Sequence, residues 1–440
     1  MAKTIITYGT FDLFHHGHKK ILERAKQQGS KLIVGVTGSN YDKARGKLNV
    51  EQSLEERIQN VIDSGFADEV IVEEYEGQKI DDIQKYNVDK FVIGDDWIGK
   101  FDYLAKYCEV IYLERTKNIS STQIRNEKHS ILRIGIVGTG RIANRFVPES
   151  KYVSGISVEG VFSHTMDRAN KFAKQFELSY FTNDYMQLLE GCDAVYIASS
   201  HEYHFEQAKQ ALQNNKHVLI EKPAVLDPEH LEELIQLAIQ NQLVFLEAIK
   251  TAFAPAFIKM IELCKIGSIG EVIDITSSFT KLIDDNESRE LQSPNGGSVN
   301  ELASYSLLPI IKLLGAPDHV KFHTLKEHHI DIYTKMELTF NTSFATAITG
   351  LKVKREGDLV IAGTKGYIYI PAPWWKTQEF EIRYEDTSKN KHYFYNFEED
   401  GLRYEIAEFS KLIRTNVLES QYLAHQDSLE IIKIVSKFNS

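Results

Sequence analysis

Cysteine is scarce in this sequence. Cys108, Cys192 and Cys264 are its only three, far apart and without a CxxC pairing, which argues against a disulfide framework or a zinc ribbon. Positive charge is not in excess either. The net charge is −11, so a general nucleic-acid-binding role is not expected, and phosphate ligands must be met by local basic residues. No run approaches the ~20 apolar residues that span a bilayer, so no membrane insertion is expected. The first strand signal begins almost at the N-terminus, leaving no room for a signal peptide. Internal repeats and low-complexity tracts are absent. What remains is ordinary: 42% hydrophobic and 26% charged residues over a length of 440, enough for about two to four domains, each with its own core. The expectation is a soluble, cytoplasmic, multidomain protein.

From residue 1 to about 129, short β-rich runs alternate with helical ones, as in a parallel α/β sheet. Candidate strands are Ile5–Tyr8, Leu32–Val36, Glu69–Val72, Phe91–Ile93 and Val110–Leu113. Gly29 is placed to stop the first helix. Another helix begins at Ser53, with Glu56 completing a capping box and Leu54, Ile58, Val61 and Ile62 at helical spacing. The polar stretch 126–130 reads as a short linker. From 131 to about 252 the βα alternation resumes, with buried strands at 193–198 and 217–220 and a helix opening at Asp227-Pro228, an N-cap followed by an N1 proline. Beyond about 270, longer alternating runs such as Ile330–Phe340 and Ser343–Leu351 suggest a largely antiparallel sheet.

Two strand-to-helix turns stand out. Ile5-Ile6-Thr7-Tyr8 leads into Thr10-Phe11-Asp12-Leu13-Phe14-His15-His16-Gly17-His18, and Ile134–Val137 leads into Gly138-Thr139-Gly140-Arg141-Ile142-Ala143. At such turns backbone N–H groups and a helix dipole can meet phosphate. In the first, His15 and His18 lie three residues apart at a helix start and share a face. Two imidazole donors there suit a triphosphate: in nucleotidyl transfer an oxygen attacks the α-phosphorus in line while pyrophosphate leaves. Catalysis of that step is mostly positioning and charge neutralisation. The same pair also fits a metal site or a merely polar helix start.

The HxGH at 15–18, Gly94-Asp95-Asp96-Trp97, Lys100-Phe101-Asp102 and the segment Arg115–Thr122 occur in one order. Together they resemble the glycerol-3-phosphate cytidylyltransferase family over essentially all of residues 3–125. The resemblance implies a Rossmann-like nucleotidyltransferase domain in which His15 and His18 stabilise the transferring phosphates of CTP. Lys47 would reach the triphosphate or the incoming phosphate, and Arg115, Ser120 and Thr122 would hold the β/γ-phosphates at a second helix N-terminus. Thr10, Phe11 and Gly17 fall in the CTP-binding turn. Asp95, Asp96 and Trp97 would shape the cytidine or acceptor pocket. Asp12 is a candidate contact for Mg2+ accompanying CTP, although aspartate at a strand end also serves as a cap. Asn118 and Ser121 depart from the family's glycine and threonine; asparagine tolerates a left-handed backbone and serine keeps the hydroxyl.

The second turn, GxGxxA, is a weak mark by itself, but here it follows a strand and opens a helix within a βαβ unit. The next strand ends at Val161-Phe162-Ser163-His164, with Arg168 one turn on. A hydroxyl with cationic neighbours suits a ribose 2′-phosphate, so NADPH is favoured over NADH. Glu221-Lys222-Pro223, His204, Glu247-Ala248, the segment Gly296–Tyr305, Gly363–Gly366 and Pro373-Trp374-Trp375 then resemble the glucose–fructose oxidoreductase/inositol dehydrogenase family over about 131–420. The resemblance implies that Gly138, Gly140, Arg141, Ile142, Ser163, His164, Arg168 and Glu221 bind the cofactor. Lys222 would sit beside the nicotinamide and the substrate hydroxyl, and Tyr305 would supply or take the proton. Taken without their motifs, Lys222 also fits a surface ion pair and Tyr305 a core aromatic. Glu301, where the family often has aspartate, and His204 are candidate substrate contacts, as is Trp97 in the first half. His201 and His204 would line the cofactor or substrate site; His204 equally fits a structural helix start.

The expected fold is therefore α/β: a cytidylyltransferase domain (1–129), a dinucleotide-binding Rossmann domain (130–252) and an α+β domain for substrate binding and oligomerisation (253–440) with a large, mostly antiparallel sheet. Joined in series, the two chemistries read as a bifunctional enzyme. One half reduces a ketose or aldose phosphate to a polyol phosphate, and the other makes a CDP-polyol and pyrophosphate from it and CTP, for capsule or related surface polymers. Two alternatives stay open. The dehydrogenase acts on a CDP-linked or unrelated sugar, or one half is a nucleotide-binding regulatory module. Partners are small molecules, and both families commonly form homo-oligomers.

Overall fold

The structure is a computed structural model that describes residues 3–44, 50, 52–75, 77–114, 131–283, 288–395, 397 and 399–440. It divides into two compact units, Met1–Ile131 and Leu132–Ser440.

The first unit is built on five parallel strands, β1 (Thr4–Gly9), β2 (Lys31–Thr37), β3 (Glu69–Glu73), β4 (Lys90–Gly94) and β5 (Glu109–Leu113), in the order β3-β2-β1-β4-β5. Runs such as Leu32-Ile33-Val34 are apolar on both sides because both faces are covered. Leu22, Val34 and Val61 belong to one layer, and Ile33, Phe91 and Leu104 to the other. The order reverses at β1, which opens a crevice past the ends of β1 and β4. The helix Leu54–Asp63 carries the expected box: Ser53 Oγ accepts the Glu56 N–H at 3.2 Å, and Glu56 Oε2 accepts that of Ser53 at 2.8 Å. Ile62 is 49% exposed, so it is not part of the buried stripe. Arg57 takes the inward position between Leu54 and Val61 and is fully buried. Gly29 does not act as a left-handed stop either. The helix His16–Lys26 is capped at Gln27 in ordinary helical conformation, and a Cβ at Gly29 would lie 2.5 Å from the Lys3 carbonyl oxygen. Close packing against β1 requires that glycine.

Arg57 ties the unit's ligand edge together. Its Nη1 donates to the carbonyls of Thr10 (2.9 Å) and Thr37 (2.8 Å) and to Asp42 Oδ2 (3.1 Å), while Nη2 donates to Ser39 Oγ at 3.0 Å. Asp42 in turn accepts the Thr10 hydroxyl at 2.9 Å. The ends of β1 and β2 are thus held by one buried ion pair.

The second unit contains two sheets. The first is parallel, with β6 (Leu132–Val137), β7 (Ile156–Phe162), β8 (Tyr180–Thr182), β9 (Ala194–Ile197), β10 (His217–Glu221) and β11 (Phe245–Ala248) in the order β11-β10-β9-β6-β7-β8. The second has β12 (Val272–Thr280), β13 (His319–Glu327), β14 (Ile330–Thr339), β15 (Phe344–Gly350), β16 (Leu359–Gly363), β17 (Tyr367–Ile370), β18 (Glu379–Arg383) and β19 (Lys391–Phe394) in the order β13-β14-β15-β12-β16-β17-β18-β19. It is antiparallel except where β12 meets β15. The helix Ser298–Leu314 packs on β12, β14 and β15 and is buried from Ser298 to Ile311, which explains its nearly unbroken apolar and small-residue composition.

His204 lies in the helix His201–Gln213 with its ring fully buried. Nδ1 is 3.2 Å from the carbonyl oxygens of Pro223 and Ala224, and Nε2 is 3.3 Å from that of Ser199. It clamps the helix to the loop after β10 and is not available to a substrate, so the structural alternative replaces the substrate contact. Burial pushes its pKa down to about 4, against the opposing pull of the carbonyls.

Arg57→Ala removes the buried cation that pairs with Asp42 and is expected to cost the first unit about 3–5 kcal/mol. In calorimetry of the whole chain one unfolding transition should drop while the other stays; two unmoved transitions would refute the keystone role. For His204 the folded pKa lies below the unfolded ~6.5. Its stability contribution is full above ~6.5 and is lost as pH falls toward about 4, at most roughly 3 kcal/mol. Urea midpoints of the second unit should fall through this window, and less steeply in His204→Gln; an equal slope in both proteins would count against the clamp.

Candidate active sites

The first site forms where β1 ends. Phe11 (φ 54°) and Leu13 (φ 47°) adopt left-handed backbone that non-glycine residues rarely hold, and the tight turn they make delivers His15 to the helix N-cap. His15 Nδ1 accepts the N–H groups of Gly17 (3.1 Å) and His18 (3.4 Å), and His18 Nδ1 accepts that of His15 at 3.4 Å. This is a capping box made of two imidazoles. The rings stack with centroids 3.8 Å apart, and Phe11 and Phe14 pack against His18 at 5.4 and 5.6 Å. An imidazole that accepts through Nδ1 carries its proton on Nε2, so each ring is set as an Nε2–H donor. The sequence spacing anticipated the shared face but not this mutual fixing.

The neighbouring residues divide by what they touch. Thr10 is buried with its hydroxyl on Asp42, and Phe11 is part of the core, so both shape the turn rather than present side chains to a ligand. Asp12 is buried and accepts the Gln52 N–H at 2.9 Å, one residue before the Ser53 N-cap. Among the described residues no group of three or more His, Cys, Asp or Glu is arranged to hold a metal. Asp95 and Trp97 lie in a short turn after β4, on the same sheet edge as the β1 turn because β1 and β4 are paired. Trp97 is 39% exposed with Lys100 Nζ 5.2 Å above its ring. Lys47, Arg115, Ser120, Thr122 and the 126–130 linker lie outside the described residues. Arg57, missed in the sequence, had one signal: it sits at i+3 between Leu54 and Val61 in the apolar stripe.

In the second unit, Gly138 (φ 103°) ends β6, and a Cβ there would lie 2.7 Å from the Ala198 carbonyl oxygen. Gly140 caps the helix Arg141–Ser150, and a Cβ there would meet nothing within 4 Å. The first glycine permits the close approach of two strand ends; the second leaves the helix N-terminus open for a pyrophosphate. The cleft here measures about 520 Å³ and is lined by Gly138, Gly140, Ser163, His164, Arg168 and Lys171, among others. These residues fit a dinucleotide. Lys171, which the sequence reading did not single out, adds a second cation one turn beyond Arg168. Arg141 and Ile142 do not line the cleft. The Arg141 side chain is 72% exposed and pairs with Glu290 at 3.2 Å, so only the backbone of these two faces the helix start.

Beyond β10 the chemistry gathers. Lys222 Nζ donates to the Glu301 carbonyl oxygen at 2.9 Å, lies 4.0 Å from Glu301 Oε2, and sits 5.6 Å from the centre of the Tyr305 ring. Arg289 approaches the other Glu301 oxygen at 3.9 Å. Tyr305 is buried, with Phe279 edge-on at 5.4 Å. Burial, and then the charges of Glu221 and Glu405, push its hydroxyl well above the ordinary phenol range. It is held as a proton donor. Glu221 accepts the Tyr196 hydroxyl at 2.6 Å, and desolvation pushes its own carboxyl up. His201, held neutral because burial pushes it down to about 2, lines a second cleft of about 710 Å³ with Asn295 and Asn300. A cation, a phenolic donor and a backbone carbonyl that orients the cation can together polarise and protonate a carbonyl oxygen.

Comparison with known proteins agrees with this division. Residues 6–127 match the cytidylyltransferase-like family, and residues 132–248 match an oxidoreductase family with an NAD-binding Rossmann fold. Glycerol-3-phosphate cytidylyltransferase of Bacillus spizizenii is 53% identical over 131 residues, 29% of this chain and 99% of the relative. The scyllo-inositol 2-dehydrogenase (NADP(+)) IolU of Bacillus subtilis is 28% identical over 317 residues, 70% of this chain and 96% of the relative. Among solved structures, the 3-ketoreductase KijD10 of Actinomadura kijaniata, in complex with NADP and TDP-benzene, shares the fold with a TM-score of 0.62 at 22% identity, covering 70% of this chain and 96% of that one. The first unit thus belongs to the cytidylyltransferase family, and the chain fuses it to an NAD(P)-binding oxidoreductase domain in the second unit.

Proposed function

We propose that the second unit reduces a ketose or aldose phosphate with NADPH to a polyol phosphate, and that the first unit transfers CMP from CTP to that phosphate, giving a CDP-polyol and pyrophosphate for surface-polymer synthesis. The observation that carries the reductive direction is Tyr305, a phenol held protonated beside the Lys222 cation. The bound cofactor supplies hydride. Lys222 polarises the carbonyl oxygen, Tyr305 gives it a proton, and Glu301 holds Lys222 in place. In this reading residues 130–252 bind the cofactor and 253–440 the substrate. NADPH is supported by the Ser163, His164, Arg168 and Lys171 lining and by relatives that carry NADP in their names or crystals. In the first unit, His15 and His18 donate to the transferring phosphates, and the remaining phosphate contacts are assigned to Lys47, Arg115, Ser120 and Thr122. No covalent nucleophile is needed. A polyol longer than glycerol is favoured, because glycerol 3-phosphate hardly requires its own attached reductase.

A second reading has one observation behind it: the solved 3-ketoreductase holds a TDP-linked ligand, which suits reduction of a nucleotide-linked sugar. Following NADPH loss and pyrophosphate release with CTP and a panel of ketose phosphates separates the two. The series reading expects NADPH consumption without CTP, followed by pyrophosphate release. Consumption only with a CDP-linked sugar favours the second. Pyrophosphate from glycerol 3-phosphate alone, with no sugar phosphate consuming NADPH, defeats the series. His18→Ala should lower cytidylyl transfer about 10²–10³-fold and leave NADPH oxidation intact, whereas Tyr305→Phe should do the reverse; parallel loss of both activities would speak for a regulatory half instead.

Arg168→Ala with Lys171→Ala should weaken NADPH binding about 10- to 100-fold and leave NADH binding unchanged. Equal weakening of both, measured by cofactor fluorescence titration, would place the ribose elsewhere.

A further inference from the structure

Arg289 lines the cofactor cleft together with Gly138, Thr139 and Gly140, yet it does not come from the parallel sheet. It opens the short turn Arg289–Gln292, which comes after β12 in the chain. Glu290, the next residue, fixes that turn between two helix starts. Its Oε1 accepts from Arg141 Nη2 at 3.2 Å, at the first residue of the helix that Gly140 caps. Its carbonyl oxygen accepts the Gly297 N–H at 2.8 Å, just before the helix Ser298–Leu314. The Arg289 side chain itself is 54% exposed, and its ion pair among the described residues is with Glu301 Oε1 at 3.9 Å, too long for a hydrogen bond. Glu301 therefore stands between two cations: Oε1 faces Arg289, Oε2 is 4.0 Å from Lys222 Nζ, and its backbone carbonyl takes the Lys222 hydrogen bond at 2.9 Å. Glu301 is buried, so these attractions are only weakly screened. A carboxylate equally far from two cations is shared by both, and whatever draws one away strengthens its hold on the other.

We propose that Arg289 is a positioning residue that senses the cofactor: its guanidinium takes the pyrophosphate at the start of the helix Arg141–Ser150 and, in turning to it, gives Glu301 over to Lys222. Arg168 and Lys171 stand on the helix Met166–Phe176, beyond the end of β7, and serve the ribose end of the cleft. Arg289 is tethered through Glu290 to the residue after Gly140, which places it at the diphosphate that NADPH and NADH share. Its planar fork suits two phosphate oxygens. Cofactor binding thereby sets the Lys222 cation, held by the whole Glu301 carboxylate, before a carbonyl substrate arrives. Arg289 touches no reacting atom and acts through Glu301. By linkage the effect is reciprocal, so the pull of Glu301 on Arg289 works against cofactor binding. The inference rests on the reading of this cleft as the cofactor's, not on which sugar is reduced.

Binding titrations of the full chain with NADPH, NADH and adenosine 2′-monophosphate, which has no pyrophosphate, test it without any sugar. Arg289→Ala should weaken both dinucleotides by a similar factor, about 10- to 100-fold, and leave adenosine 2′-monophosphate unchanged. Arg289→Lys should recover part of the loss. The coupling has its own sign. Glu301→Gln, which releases Arg289, should tighten NADPH up to about fivefold, and the same substitution added to Arg289→Ala should change nothing. Dinucleotide affinities untouched by Arg289→Ala, or a loss confined to NADPH, overturn the pyrophosphate contact. NADPH affinity that does not rise in Glu301→Gln, or that rises equally without Arg289, overturns the hand-over to Lys222. Should Arg289→Ala also lose adenosine 2′-monophosphate, Arg289→Gln, which keeps the polar end without the charge, is read in its place by the same criteria. Failure of the cofactor reading looks different: NADPH then binds as tightly in Arg168→Ala with Lys171→Ala as in the wild type.

Discussion

A parallel sheet whose strand order reverses cannot cover its own carboxyl edge at the point of reversal, and both sites depend on that. In the first unit the reversal falls between β1 and β4, in the second between β6 and β9. At each, a strand ends and a helix begins with backbone N–H groups facing the gap. The same architecture supports opposite uses because the turns differ. Phe11 and Leu13 hold a strained turn that carries side-chain donors forward, whereas Gly138 and Gly140 remove side chains so that a ligand can approach the backbone.

Buried charge is the second theme. Arg57 is inside because three backbone or carboxylate acceptors converge on it, and the fold of the first unit's ligand edge is specified by that convergence. In the second unit Glu149 and Arg403 form an ion pair at 2.7 Å that is almost wholly buried and joins the helices Arg141–Ser150 and Leu402–Thr415. Such pairs contribute little net stability against a well-packed apolar alternative, but leaving one partner alone is costly. They fix geometry more than they strengthen it.

Much of this was legible in the sequence. Period-two and continuous apolar runs located the strands, the Ser53 and Glu56 box and the Asp227-Pro228 start appear as read, and the His15–His18 and Gly138–Ala143 turns lie at the two switch points. The misses share a physical cause. Gly29 is needed for a contact with Lys3, His204 for carbonyls some twenty residues away, and Arg141 turns outward to Glu290 across 149 positions of chain. Local pattern carries no record of such partners. Lys171 and Arg57 were within reach, since one continues the helical face of Arg168 and the other interrupts an apolar stripe with a charge.

The imidazole capping box has one more consequence. An imidazolium has no lone pair left to accept a hydrogen bond, so the start of the helix His16–Lys26 can be built in this form only while His15 and His18 are both neutral. The two rings are donors of direction, not of charge. Whatever net positive potential a polyphosphate needs at that turn is brought by lysine and arginine, a division of labour in which the histidines aim and the longer side chains attract.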